Sequence, residues 1–113
     1  MSMSIKIDSK DVEDELKKIK NLMEKIVPSE LEKLGQDIEK EAKRIVPVRT
    51  GFLRSSIYHK KTGKLTLEVG ASAPYAIYVE YGTSRMSPKP YLRPAIMKYF
   101  PKKFIERIIK ALR

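Results

Sequence analysis

The chain has 113 residues, and its 24 lysines and arginines against 14 acids leave a net charge of +10, with no cysteine. Disulfide and thiolate chemistry are thereby excluded, and the composition suits a reducing compartment. No apolar run nears the ~20 residues of a membrane span, and Met1 to Lys10, mixed and polar, lacks the basic-then-apolar pattern of a signal segment, so no secretory leader is expected. One domain over residues 1–113 is expected, made in the cytoplasm and without a membrane partner.

The charge is unevenly placed. Residues 1–46 carry 10 basic and 11 acidic side chains, a net of −1, and residues 47–113 carry 14 and 3, a net of +11. The second half therefore projects a positive field suited to an acidic protein surface or to nucleic acid, or simply to water.

In chain order, Ser4 to Asp8 alternates polar and apolar residues, which predicts a short edge strand. Asp8 or Ser9 can cap a first helix whose apolar positions are Val12, Leu16, Ile19, Met23 and Ile26. Pro28 is expected to interrupt it. Ser29-Glu30-Leu31-Glu32 then reads as a capping box, opening a second helix with Leu31, Leu34, Ile38, Ala42 and Ile45 on its apolar stripe. That helix should stop near Val46, because Pro47 disfavours α geometry in the residue before it.

Thr50-Gly51 makes a structural turn, with Arg54 following on the next segment. A strand is predicted around Ser56 to Lys60, a reversal at Thr62-Gly63, and a second strand from the alternation of Leu65, Leu67 and Val69, giving a β-hairpin. Pro74 to Tyr81 reads as a short helix stopped by Gly82. Ser84 to Pro90 has two prolines and no periodicity, so an extended, mobile loop is expected. From Leu92 a last helix carries Ile96, Phe100, Phe104, Ile108 and Leu112, with a kink or restart at Pro101. The fold class is therefore α+β: N-terminal helices and a C-terminal helix packed on a small antiparallel β-sheet. Leu34, Ile38, Ile45, Leu53, Leu67, Val69 and Ile96 are its expected core.

Catalysis has little to stand on. Acyl or phosphoryl transfer needs a nucleophile, a base and a charge stabiliser placed together. Glu80 is the only carboxylate in the central blocks, and no phosphate-binding glycine loop is present. His59, the only histidine, has no second His or Cys nearby and reads as a surface strand residue, so no metal site and no cofactor are expected. Arg49 and Arg54 could bind phosphates, and one of them is expected to pair with Glu80. Tyr75, Tyr78 and Tyr81, spaced three apart, suit the core or a subunit contact better than base stacking.

Three blocks recur in a fixed order: Pro47, Thr50-Gly51, Leu53-Arg54 and Ser56-Ile57; then Tyr75-Ala76 and Val79-Glu80-Tyr81-Gly82-Thr83; then Pro90-Tyr91-Leu92-Arg93-Pro94-Ala95. In order and spacing they resemble the small tail-completion, or head–tail joining, proteins of tailed bacteriophages and proviruses. The resemblance implies helices on a small antiparallel sheet and no enzyme activity. It implies a structural role in the virion tail or neck: a homo-oligomeric ring, hexameric in such proteins, at the head-proximal end of the tail. The partners would be further copies of the chain, tail-tube and neck proteins, and non-specific contact with DNA. The contact residues of such a ring are expected at Tyr78, Glu80, Gly82, Thr83, Arg85, Lys89 and Arg93. Two other classes compete: a small basic RNA-cleaving toxin, and a nucleic-acid-binding module using the basic half. The acidic helical N-terminal half argues against the first, and the lack of a recognition helix or stacking motif against the second.

Overall fold

The computed structural model describes residues 2–47 and 51–112, and its longest dimension is 79 Å against 25 and 20 Å for the other two. Most of the length comes from one helix, α1 (Ser9–Ile45), of 37 residues. Its start is fixed by a reciprocal cap: the Asp11 N–H donates to Asp8 Oδ1 (3.1 Å) and the Asp8 N–H to Asp11 Oδ2 (3.2 Å). Val46 ends it in extended geometry just before Pro47.

Two expectations for this region fail. Residues 4–8 form no strand, and Ile5 and Ile7 are exposed. An edge strand needs a neighbour, and the sheet ends with the hairpin. Nor does Pro28 divide α1. At about 100° per residue, Leu16, Met23, Val27, Leu34 and Ile38 stay in phase across it, so the apolar stripe favours one continuous axis. The predicted box at Ser29 does not form; the Ser29 hydroxyl donates to the Ile26 carbonyl within the same helix (3.0 Å).

After Gly51, α2 (Phe52–Ser56) leads into β1 (Ile57–Gly63), which pairs antiparallel with β2 (Thr66–Ala71). The register Ile57↔Ala71, His59↔Val69, Lys61↔Leu67 puts these side chains on one face, and the hairpin packs on α1. The reversal falls at Lys64-Leu65, later than Thr62-Gly63, with a bulge between Lys61 and Gly63. Leu65 thus leaves the strand alternation and is 53% exposed. Three further helices follow: α3 (Ala76–Tyr81), α4 (Leu92–Tyr99) and α5 (Lys102–Leu112), the last two separated at Phe100-Pro101 as the sequence predicts.

The second half of α1 is the spine of the core. Leu31, Leu34, Ile38, Ala42 and Val46 pack with Leu53, Ile57, Ala73, Ala76, Tyr91 and Ala95. Of the expected core, Leu34, Ile38 and Leu53 are buried; Ile45, Leu67, Val69 and Ile96 are only partly covered. Two strands are too narrow to roof both α1 and α4, so the groove between Leu67, Val69, Ile96 and Phe100 stays partly open. Ion pairs tie the C-terminal helices to the spine: Lys98 to Glu41 (3.3 Å) and Arg107 to Asp37 (2.8 Å).

Candidate functional site

The block from Pro74 to Ala95 folds around one carboxylate. Pro74 and Tyr75 form a turn and α3 follows, with Gly82 ending it at φ 76°. That positive φ suits glycine, and a Cβ there would lie 2.7 Å from the Pro88 nitrogen and 2.8 Å from the Met86 carbonyl oxygen. The chain then doubles back. The Thr83 N–H donates to the Met86 carbonyl (2.8 Å), the Arg85 N–H to Thr83 Oγ1 (3.2 Å), and the Lys89 N–H to the Val79 carbonyl (2.8 Å). Residues 84–90 are exposed, as expected, but the loop closes on itself between Thr83 and Met86 and is tied back to α3 at Lys89 by backbone hydrogen bonds.

Glu80 is the anchor. Only 4% exposed, its carboxylate accepts the backbone N–H groups of Tyr91 (3.0 Å), Leu92 (2.8 Å) and Arg93 (3.2 Å). These are orphan donors at the start of α4, so a side chain eleven to thirteen residues upstream caps that helix. Arg93 Nε donates to Glu80 Oε2 (2.9 Å) and Arg93 Nη2 to the Glu80 carbonyl (2.9 Å). The guanidinium also lies over the Tyr81 ring, 4.3 Å from its centroid. Tyr91 is fully buried, and its hydroxyl donates to the Ala76 carbonyl (3.1 Å). Burial pushes the Glu80 pKa up, but the Tyr91 N–H, the Arg93 guanidinium and the other two N–H groups outweigh it and hold the carboxyl below its ordinary range. Burial, with the Glu80 charge added, pushes the Tyr91 phenol up to about 12.

This geometry bears on two sequence expectations. Glu80 pairs with Arg93, not with Arg54; Arg49 and Thr50 lie outside the described residues. Glu80 is also closed to a partner, so its role is to hold the segment's shape. Gly82 likewise shapes the turn and is half-buried. Tyr78, Thr83, Arg85, Lys89 and Arg93 are exposed on the same module. Tyr75, Tyr78 and Tyr81 are 39%, 55% and 60% exposed, so none is a core residue. In the first block, Gly51 adopts φ 77° before α2, Thr50 of the expected turn lies outside the described residues, and Arg54 lies exposed on α2.

His59 is not the surface residue expected from its strand. Its side chain is 16% exposed and lies between two carboxylates of α1, with Nε2 3.0 Å from Glu32 Oε1 and Nδ1 3.1 Å from Glu39 Oε1. With an acceptor at each nitrogen, both must donate, which selects the imidazolium. The Glu32 bond raises the His59 pKa most; burial opposes it and Glu39 adds to it. Gly35 makes the site: a Cβ there would lie 2.5 Å from His59 Cδ2. A mid-helix glycine flanked by glutamates at −3 and +4 was the available signal. Among the described residues no group of three His, Cys, Asp or Glu is placed to hold a metal ion, and no helix is long and apolar enough to cross a membrane.

One family profile, whose description reads "Bacteriophage HK97-gp10, putative tail-component", matches residues 10–82. The match spans α1, the hairpin and α3, and so contains the first block and nearly all of the second, while the third lies beyond it. Neither the curated proteins nor the solved structures hold a significant match to the chain. With well over half its length matched, the chain belongs to the HK97-gp10-like family, a structural family of bacteriophage tail components.

Proposed function

We infer that this tail component works as a ring at the head-proximal end of the tail and takes part in joining head to tail. The observation that carries this reading is the module built on Glu80. It fixes an exposed ledge, residues 83–90, whose Arg85 and Lys89 have no ion-pair partner among the described residues. Tyr78 and Tyr81 are exposed beside it. An ordered ledge with unspent charge and aromatic area fits a protein contact, because little conformational entropy remains to be lost on binding. The hairpin adds a second opportunity: among the described residues the outer edges of both strands have no neighbour in the sheet, and strand addition satisfies such edges. A head-to-tail contact repeated about an axis closes into a ring.

The test reverses charge at Arg85 and Lys89 together, leaving Arg93 in place because it pairs with Glu80. Joining of heads to tails is measured in an infection lacking the native protein, and oligomer size is measured on isolated tails. Loss of both activities from a variant with unchanged thermal stability is expected. Wild-type joining by that variant would refute the ledge as the contact.

A further inference from the structure

Every residue from 2 to 23 is exposed, although 9–23 form a regular helix. This arm projects beyond the core, which begins on α1 at Glu30 and Leu31. Along it Val12, Leu16, Ile19 and Met23 are 48%, 58%, 48% and 40% exposed. Their spacing of four, three and four is that of a coiled-coil seam. The arm's charge is sorted along its axis. Asp8 to Glu15 holds five acids and one lysine, whereas Lys17 to Lys25 holds four lysines and one acid.

We propose that the arm is an interaction surface for a second copy of this chain, and that the two arms pair antiparallel through the seam. Antiparallel pairing sets Val12 against the other copy's Met23 and Leu16 against its Ile19, so all four seam residues are covered. It lays Asp8 to Glu15 of each arm along residues 20–27 of the other, which carry Lys20 and Lys25, and brings Glu13 beside Lys20 of the second copy twice over. A parallel in-register pair would stack like charges, which is destabilising. The hairpin tip extends the same surface: Leu65 lines one groove with Leu16, Ile19, Met23 and Val27. The first turn of the second copy's arm ends in that groove. The contact is two-fold, unlike the head-to-tail contact of a ring, so it stands or falls apart from the ring reading.

The absence of native cysteine makes the register directly testable. Val12→Cys and Met23→Cys variants of the full chain are mixed and oxidised mildly. A Val12→Cys to Met23→Cys cross-link is expected. In the antiparallel pair the two Val12 positions stand about 16 Å apart along the axis at 1.5 Å per residue, beyond disulfide reach. Preferential cross-linking of Val12→Cys to itself would overturn the proposal. Sedimentation equilibrium of the wild type should show a concentration-dependent dimer, and a monomer at every concentration would also overturn it, leaving the face to another tail protein. Glu13→Lys should weaken the dimer roughly tenfold, about 1.4 kcal/mol, and adding Lys20→Glu should restore it. Failure of the second reversal to restore pairing would refute the charge register.

Discussion

Glu80 and Arg93 are joined twice, through the carboxylate and through the backbone carbonyl of the same residue. The first bond neutralises a buried charge; the second fixes the guanidinium against the end of α3, where it also covers Tyr81. Together with the three N–H groups on the carboxylate, they bind α3 to the start of α4 across an exposed loop. Glu80→Gln keeps the shape and removes the charge. It should cost about 1–3 kcal/mol, since hydrogen bonds to a charged acceptor are worth more than neutral ones. Urea denaturation measures this, and a loss below about 0.5 kcal/mol would show that the cap contributes little.

The His59 site predicts a pH dependence with a definite sign. The folded pKa lies above the ordinary histidine value, so the site's contribution is fully present below about pH 6.5 and is lost as pH rises through the folded value. Glu32 and Glu39 are shifted the other way: their contribution is present above the ordinary value of 4.5 and is lost as pH falls through the lowered values. The Glu32 shift comes first from the His59 hydrogen bond; at Glu39 burial pushes upward and the His59 and Lys43 bonds prevail. Urea midpoints measured from about pH 6 to pH 9 should fall for the wild type and stay flatter for His59→Gln. Parallel curves would remove His59 as the cause.

Gly35→Ala sets two effects against each other. Alanine favours a helix interior over glycine by about 1 kcal/mol, but its Cβ would meet His59 Cδ2 at 2.5 Å and Leu67 Cδ1 at 3.0 Å. The imidazole is held at both nitrogens and cannot step aside cheaply. The clash should win, with a net loss of about 1–3 kcal/mol. In a His59→Ala background the same substitution should cost less or stabilise. Equal effects in both backgrounds, read from thermal unfolding, would place the clash elsewhere.

Pro28→Ala tests the continuity of α1. A proline inside a helix lacks one donor and crowds the preceding turn, at a cost of about 3 kcal/mol. Alanine should therefore stabilise the protein, by about 1–3 kcal/mol, and leave helical ellipticity unchanged or higher. If Pro28 instead opened a separate helix, its missing N–H would cost nothing there, and a neutral or destabilising result would follow.

What the sequence determined by itself is local. The Asp8 cap, the stop before Pro47, the short helix ended by Gly82 and the restart at Pro101 each rest on a few neighbouring residues, and each is where the sequence places it; the hairpin forms too, with its reversal two residues later than Thr62-Gly63. The ordered turn blocks likewise carried the family. Tertiary structure decided the rest, because the deciding partners are distant along the chain. Pro28 is overridden because the residues on both sides share one apolar stripe, and its second half packs on the hairpin and α4. His59 turns inward because Glu32 and Glu39, 27 and 20 residues earlier, meet it over a glycine. Glu80 becomes a cap because a loop without periodicity returns the chain to it. Propensity reads the backbone within a turn or two; a charge brought from elsewhere in the chain is settled only when burial forces it to find its hydrogen bonds.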